Sequence, residues 1–283
     1  MNIQAHRLGG VFILLTMLLG CATPASRTAL RDTLIQKAGW KTELLSAGAF
    51  DVFSVRTTSR NGAVLTVYLE GDGYAYMTPN RISPDPTPIN PLALRLAIAD
   101  PGTGPVAYLA RACQYVMPDH GRNCARPYWS FKRYAPEIVD NANLAIDALK
   151  QRTSTTKIML VGYSGGGALA VLVAAHRDDV AGIVTVASNL DLGYWTRRDD
   201  LMPLEGSLDP VDFSDRVAII PQVHFSGALD TTVGPDVTRA YMSLLPQDAP
   251  ARMITKPTFD HSCCWAVSWP ELFKSTGLQT FRD

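Results

Sequence analysis

The chain has 283 residues, 47% of them hydrophobic, and its 26 basic and 26 acidic side chains give a formal net charge of zero. A chain of this length can bury one large core, and single α/β domains of about 250 residues are common. Without a basic stripe or a run of like charges, the sequence argues against nucleic acid as a partner.

The first 20 residues have the features of an export signal rather than of a folded element. Arg7 makes a short positive start. The apolar stretch 11–19 is too short to span a bilayer but long enough for the core of a signal peptide. We therefore exclude residues 1–20 from the fold and predict that the protein is exported.

The signal ends in Leu-Leu-Gly-Cys at 18–21, which resembles a bacterial lipobox. In signals of that kind the cysteine is acylated after cleavage, so Cys21 is the predicted lipidation site and the lipid anchor the only predicted membrane contact. Ala22 follows the cysteine, which by the usual sorting pattern predicts the periplasmic side of the bacterial outer membrane. An ordinary signal cleaved within 22–25 is the alternative and would leave a soluble periplasmic or secreted protein.

Residues 21–43 are predicted as a tether and lead-in to one domain, 44–283. Alternating apolar side chains predict a strand near 50–55, and the Asn61-Gly62 pair after it is a strong signal for a hairpin turn. The next stretch, 63–69, is continuously apolar, which is typical of a strand buried on both faces of a sheet.

Strands and helices alternate along the rest of the chain. The predicted strands are 63–69, 106–110, 157–161, 183–187, 218–225 and 252–256. The predicted helices are 91–99, 133–151, 165–176, 236–245 and 265–276. This order predicts an α/β fold with a mostly parallel central sheet and helices on both faces. The stretch 188–217 is predicted as a short cap, and a cap of this size favours an open site. A plain surface loop without a role in substrate binding is the alternative.

The segment Gly162-Tyr163-Ser164-Gly165-Gly166 lies between a predicted strand and a helix rich in Gly and Ala. A serine on such a sharp strand–turn–helix projects its oxygen beyond the sheet, and flanking glycines avoid the collision that a Cβ would cause. The N–H of Gly165 would then point at a developing oxyanion. A nucleotide-binding turn is the alternative, but neither phosphate-binding glycine fingerprint is present. Ser164 is the candidate nucleophile.

A serine nucleophile needs a base and a carboxylate that orients it. His261 follows the last predicted strand and is the candidate base, because in a fold with this strand–turn–helix serine the histidine comes last along the chain. Asp230 lies in a loop just past the strand 218–225 and is the candidate acid, with Asp191 as the alternative position. Asp260 is adjacent to the histidine, so its side chain is expected to point away.

The turn Glu70-Gly71-Asp72-Gly73 follows the strand 63–69 and is the expected source of a second oxyanion donor. The N–H of Asp72, Gly73 or Tyr74 is the candidate, with Gly73 and Asp72 preferred. Because a carboxylate facing the oxyanion would oppose catalysis, Glu70 and Asp72 should point away or be paired, and Arg111 is a suggested partner.

Together these motifs resemble the α/β-hydrolase superfamily over about residues 44–276. The resemblance implies a Ser164–Asp230–His261 triad, an acyl-enzyme intermediate, and no metal or organic cofactor. A small-molecule carboxylic ester is the expected substrate. A peptidase or amidase on the same triad, and a non-catalytic envelope binding protein, are the alternatives.

Four cysteines follow the signal and would meet an oxidising compartment after export. We favour a disulfide between Cys113 and Cys124, which leaves Cys263 and Cys264 as a vicinal pair, bonded or reduced. A bridge from one of the vicinal cysteines to the first loop is the alternative. A zinc site is disfavoured because neither pair has C-x-x-C spacing.

Overall fold

The computed structural model describes residues 23–281. The predicted signal and its acylation site, Cys21, lie outside the described residues. The strands are β1 Lys41–Ala47, β2 Phe50–Arg56, β3 Val64–Leu69, β4 Tyr76–Thr78, β5 Arg81–Ile82, β6 Val106–Leu109, β7 Lys157–Tyr163, β8 Val180–Val186, β9 Gln222–Gly227 and β10 Ala251–Lys256. The helices are α1 Pro24–Ala38, α2 Leu92–Ile98, α3 Pro136–Thr153, α4 Gly165–Ala174, α5 Leu192–Arg198, α6 Ser214–Val217, α7 Gly234–Met242 and α8 Trp265–Ser275.

Eight strands form the central sheet in the order β1-β2-β6-β3-β7-β8-β9-β10. β1 and β2 are antiparallel, and the strands from β6 to β10 across the sheet are parallel. In the register of the centre, Leu69 of β3 lies opposite both Leu109 and Gly162. The loops that follow β3, β6 and β7 therefore emerge side by side at one edge of the sheet.

Helices cover both faces of this sheet, as predicted. Apolar side chains of α3 and α4, among them Ile146 and Leu169, pack with Leu65 and Leu160 in one buried cluster. A second cluster on the opposite face holds the side chains of α2 and the large rings of α8, including Trp269. Every residue of β3 is buried, which confirms its predicted central position.

The predicted hairpin at Asn61-Gly62 is wrong. β2 pairs with β1, through a tight turn at Gly48-Ala49, and its other edge pairs with β6. β6 separates β2 from β3, so β3 pairs in parallel on both of its edges, and helices cover both of its apolar faces. Tertiary pairing has overridden a local turn signal.

The predicted tether is also wrong, because a helix, α1, begins at Pro24. The hydroxyl of Thr23 accepts from the N–H of Ser26, and Gly39 ends the helix in the left-handed conformation. The buried face of α1 consists of Arg27, Arg31 and Ile35, at a spacing of one helical turn. Two of these three are arginines, so the apolar periodicity that announces a helix is missing from the sequence.

Cys113 and Cys124 are bonded, with 5.5 Å between their Cα atoms, and Cys263 is bonded to Cys264. The predicted cap region contains only the short helices α5 and α6 and a 3-10 turn. Between residues 23 and 281, no helix combines the length and apolar character needed to cross a bilayer. The same residues contain no cluster of three or more ligands suited to a metal ion.

Candidate active site

Ser164 lies on the sharp turn between β7 and α4, which is called the elbow and comprises residues 162–167. Its backbone has φ 51° and ψ −123°, a conformation that a non-glycine residue rarely adopts. A Cβ on Gly162 would lie 2.2 Å from the carbonyl oxygen of Gly166, and a Cβ on Gly166 would lie 2.2 Å from the carbonyl oxygen of Leu69. The glycines around the serine thus let the turn and the helix approach the sheet, as the sequence predicts.

The structure brings the predicted base and acid to this serine. Nε2 of His261 lies 3.1 Å from Oγ of Ser164, and Nδ1 of His261 lies 2.8 Å from Oδ2 of Asp230. With the ring proton on Nδ1, the imidazole donates to the carboxylate and accepts from the hydroxyl. The three side chains form one hydrogen-bonded chain from Asp230 to Ser164.

The carboxylate of Asp230 is held on both of its oxygens. Oδ1 accepts from the N–H groups of Thr232 and Val233, at 2.8 and 2.9 Å, and leaves Oδ2 for His261. Burial acts to raise the pKa of Asp230, but the hydrogen bond and charge of His261, with the backbone donors, outweigh it and lower the pKa. The carboxylate is therefore ionised at neutral pH.

The alternative acids are used elsewhere. Asp191 caps α5 and accepts from the N–H of Tyr194 at 2.7 Å. Asp260 turns away from the imidazole and accepts from the N–H groups of Ser262 and Cys263. Asp260 thereby shapes the loop that carries His261, without touching the ring.

The other histidines in the described residues lie outside the site. His224 is fully buried in β9, where its Nδ1 lies 2.8 Å from Oγ1 of Thr185. Burial lowers the pKa of His224 to about 3, so it is a neutral core residue. Nδ1 of His176 lies 2.7 Å from the carbonyl oxygen of Leu172, within its own helical segment.

The turn after β3 approaches the serine from the other side. A Cβ on Gly71 would lie 3.2 Å from Cβ of Ser164. Tyr74 is ruled out as an oxyanion donor because its N–H donates to the carbonyl of Pro86. Within the part of the chain that the structure describes, the N–H groups of Asp72 and Gly73 have no hydrogen-bond partner. These two, with Gly165, remain the candidate donors.

The carboxylate of Asp72 is paired rather than aimed at the oxyanion. Nη1 of Arg111 lies 3.0 Å from its Oδ1, Nη1 of Arg133 contacts its Oδ2, and the hydroxyl of Tyr134 donates to Oδ1 at 3.3 Å. Burial acts to raise the pKa of Asp72, but the charges of Arg133 and Arg111 outweigh it and lower the pKa. Arg111 is the partner that the sequence suggested, and Arg133 is a second one that it did not.

Glu70 differs from Asp72 because burial dominates its pKa. Its carboxyl group is buried, and Oε1 accepts from the N–H groups of Gly71 and Ala93 at 3.0 and 3.3 Å. Oε2 and the hydroxyl of Tyr108 are also buried, and within residues 23–281 neither atom has a hydrogen-bond partner. Burial raises the pKa of Glu70 to about 7, against the opposing effect of backbone donors that include the N–H groups of Gly71 and Ala93. Near neutral pH this carboxyl is partly protonated.

The side chain of Gln114 links the turn after β3 to Arg111 by two hydrogen bonds. Its Nε2 donates to the carbonyl of Gly71 at 3.0 Å, and its Oε1 accepts from the N–H of Arg111 at 3.1 Å. The residue is fully buried next to the bonded Cys113. No local pattern in the sequence marks Gln114 or Arg133, because both reach the turn from segments distant along the chain.

A cavity of about 400 Å³ opens onto Ser164 and His261. Aromatic and aliphatic side chains form part of its walls, namely Tyr74, Tyr76, Pro88, Ile89 and Trp195. Nε1 of Trp195 donates to the carbonyl of Thr232 at 2.9 Å, which attaches the predicted cap to the loop of the acid. Polar side chains, among them Arg133 and Asn189, complete the lining beside Ser164 and His261.

Comparisons with known proteins agree with this architecture. Residues 118–188, which include the elbow, match the dienelactone hydrolase family. No match was found among curated proteins.

Solved structures of other proteins align with most of this chain. The Pyrococcus furiosus esterase Pf2001 aligns with a TM-score of 0.58 at 12% identity, over 88% of this chain and 93% of that one. An α/β serine hydrolase homologue from Coxiella burnetii aligns with a TM-score of 0.56 at 16% identity, over 83% of this chain and 95% of that one. Est1E from Butyrivibrio proteoclasticus aligns with a TM-score of 0.57 at 12% identity, over 85% of this chain and 96% of that one. The protein has the α/β-hydrolase fold. At these identities the likeness concerns the fold, and the site must be interpreted from its own residues.

Proposed function

We propose that the protein is a serine hydrolase that cleaves carboxylic esters through an acyl-enzyme. The observation that carries the proposal is the continuous hydrogen-bonded chain from Asp230 through His261 to Ser164, at 2.8 and 3.1 Å. Ser164 lines a pocket with aromatic and aliphatic walls, and the N–H groups of Asp72 and Gly73 in the same lining are free to bind an oxyanion. These are the parts that acyl transfer requires.

Each step has a group in place. Nε2 of His261 takes the proton of the Ser164 hydroxyl as Oγ attacks the carbonyl carbon of the ester. The resulting oxyanion is received by the N–H of Gly165 and by that of Asp72 or Gly73. Collapse expels the alcohol, which His261 protonates, and a water activated by the same nitrogen then hydrolyses the acyl-enzyme. Asp230 stabilises the imidazolium that forms in both halves of the reaction.

Two observations support an ester as the substrate. The pocket walls offer apolar surface, which suits the apolar acyl or alcohol part of a small ester. The Pyrococcus furiosus neighbour is named as an esterase, and dienelactones, which name the family matched over 118–188, are cyclic esters. The proposed partner is therefore a small-molecule ester.

We propose further that the protein is exported and acylated at Cys21, on the periplasmic side of the outer membrane. The support is the lipobox-like Leu-Leu-Gly-Cys at 18–21, preceded by a short apolar stretch. Intact-mass measurement of the protein purified from membranes tests this directly, since acylation and cleavage before Cys21 give a defined mass.

The proposed activity is tested by labelling the folded protein with a fluorophosphonate and mapping the adduct. We expect the adduct on Ser164, and strongly reduced labelling in His261→Ala and Asp230→Asn. Asp191→Asn is the matched control, because this aspartate caps α5 and does not touch the histidine. Absence of the adduct in folded protein would support a binding protein without catalysis. Assays with matched ester and amide substrates then separate an esterase from an amidase.

A further inference from the structure

The first turns of α1 pack against the wall of the pocket. The guanidinium of Arg27 stacks over the ring of Tyr74, 4.5 Å from its centroid, and Nη1 donates to the carbonyl of Thr87 at 3.1 Å. Arg27 is only 7% exposed. Tyr74 lines the pocket, and Thr87 directly precedes Pro88 and Ile89, which also line it. Two segments of the pocket wall are thus fastened to the start of α1.

The direction of α1 follows from its next contacts. One turn further on, Arg31 stacks over the rings of Phe53 and Tyr115, at 4.1 and 4.8 Å, and Ile35 then enters the core. Tyr74 and Tyr115 both belong to loops that leave the carboxyl ends of parallel strands. The N-terminal end of α1 therefore lies at the edge of the sheet that carries the active site.

The candidate acylation site is close to this end of the helix. Only two residues, Ala22 and Thr23, separate Cys21 from Pro24, the first residue of α1. The three Cα–Cα steps from residue 21 to residue 24 span at most about 11 Å in an extended chain, which is too short for a flexible linker between lipid and domain. A lipid on Cys21 would enter the membrane next to the wall of the pocket.

The rim of the pocket has side chains suited to a lipid surface. Ile89, which lines the pocket, is 45% exposed, and Met77, next to the lining residue Tyr76, is 40% exposed. Arg81 is exposed on β5, which pairs with the strand of Met77. Apolar side chains beside a cation match the acyl and phosphate layers of a membrane interface.

We propose that acylation of Cys21 holds the protein with the mouth of its pocket against the membrane, so that its substrates are esters partitioned into the lipid surface. This inference rests on the proposed esterase activity and names the source of its substrate. The lipid positions the pocket, and α1 transmits that position through Arg27 to the wall that Tyr74 forms.

The orientation is tested with the acylated protein in vesicles that contain doxyl-labelled lipid. A bimane fluorophore is attached to Ile89→Cys, and in a separate variant to Leu244→Cys. Leu244 has a similar exposure, 50%, but follows α7 and precedes β10, at the opposite edge of the sheet. We expect quenching of the first probe and none of the second. Equal quenching, no quenching at Ile89→Cys, or a protein without acylation at Cys21 would overturn the inference.

The substrate class is tested by lengthening the connection. A flexible Gly/Ser linker of about 20 residues, inserted between Ala22 and Thr23, keeps the acylation site but releases the domain from its fixed orientation. We expect hydrolysis of a vesicle-embedded ester to fall by roughly fivefold or more, because the effective concentration at the surface drops. Hydrolysis of a soluble short-chain ester should be unchanged.

The two levels of the proposal fail in different ways. Equal rates on the embedded ester with and without the linker would overturn the membrane-facing pocket and leave the esterase intact. No turnover of either ester, together with no fluorophosphonate adduct on Ser164, would overturn the proposed function itself.

Discussion

The elbow at 162–167 and the turn at 70–73 meet at Ser164, yet they are held in place by different means. The elbow depends on its own glycines, whose missing Cβ atoms allow backbone to approach backbone. The turn is held by side chains from elsewhere, namely Arg111, Arg133 and Gln114. A locally encoded feature therefore stands beside one that exists only when distant segments have assembled.

Within the turn, the pKa values of two carboxyl groups separated by a single residue are shifted in opposite directions. Two arginines lower the pKa of Asp72 against the effect of burial, whereas burial raises the pKa of Glu70 to about 7. Neither difference is visible in the local sequence. The same chemical group is charged or partly neutral according to what the fold brings next to it.

The largest effect is expected in the elbow, from Gly162→Ala. The added Cβ would lie 2.2 Å from the carbonyl oxygen of Gly166, and backbone atoms have no freedom to move aside. We expect a loss of about 3 kcal/mol or more in the free energy of unfolding, measured by denaturant titration, with loss of fluorophosphonate labelling. Gly39→Ala is the control, because its Cβ would meet nothing within 4 Å and only its positive φ is penalised, at about 1 kcal/mol. Similar losses in both variants would contradict the steric account.

The second effect is expected in the turn, from Gly73→Val. Gly73 has φ 68°, and a Cβ there would lie 2.1 Å from the carbonyl oxygen of Pro86, so the turn must shift. We expect kcat on a soluble ester to fall about 100-fold or more, the size of effect that follows loss of an oxyanion donor, with little change in KM. An unchanged kcat would remove this turn from the site.

The third effect is expected from Asp72→Asn, which leaves Arg111 and Arg133 buried without a counter-charge. We expect a loss of about 3 kcal/mol in unfolding free energy near neutral pH. Because the folded-state pKa of Asp72 is lowered, its contribution is present above the unfolded value of 3.8 and disappears as the pH falls through the folded value. Chemical denaturation at pH 7 and pH 3 should show the difference between variant and wild type shrinking at the lower pH.

The smallest effect, of opposite sign, is expected from Glu70→Gln. The folded-state pKa of Glu70 is raised from 4.5 to about 7, so its ionisation destabilises the fold increasingly as the pH rises through this window. A neutral amide keeps the acceptor for Gly71 and Ala93 and removes that cost. We expect the variant to gain about 2 kcal/mol relative to wild type at pH 8 and little at pH 4, by denaturant titration at both pH values. A loss at pH 8 would show that Glu70 is ionised without penalty.

Sequence patterns were informative wherever a role depends on neighbours along the chain. The buried strand 63–69 and the glycines around Ser164 carry steric requirements that can be recognised locally. Asp230 and His261 could be assigned because chain order after the strands places them at the same sheet edge. The hairpin at Asn61-Gly62 failed because strand pairing is a property of the whole sheet.

The helix α1 shows the same limit in another form. Its buried face uses Arg27 and Arg31, which are stable there because aromatic rings and backbone carbonyls surround them. From the sequence alone, two arginines indicate a solvated tether. The correction matters for function, because a helix that begins at Pro24 leaves no linker between the candidate lipid site and the pocket.

By itself, the sequence determined the fold class, the candidate nucleophile and the candidate base and acid, because glycine sterics and the order of elements along the chain are local or topological properties. Only the tertiary structure decided the ionisation of Glu70 and Asp72, the exclusion of Tyr74 as an oxyanion donor and the position of α1 on the pocket wall. Those features depend on burial and on partners far apart in the chain, and folding alone brings them together.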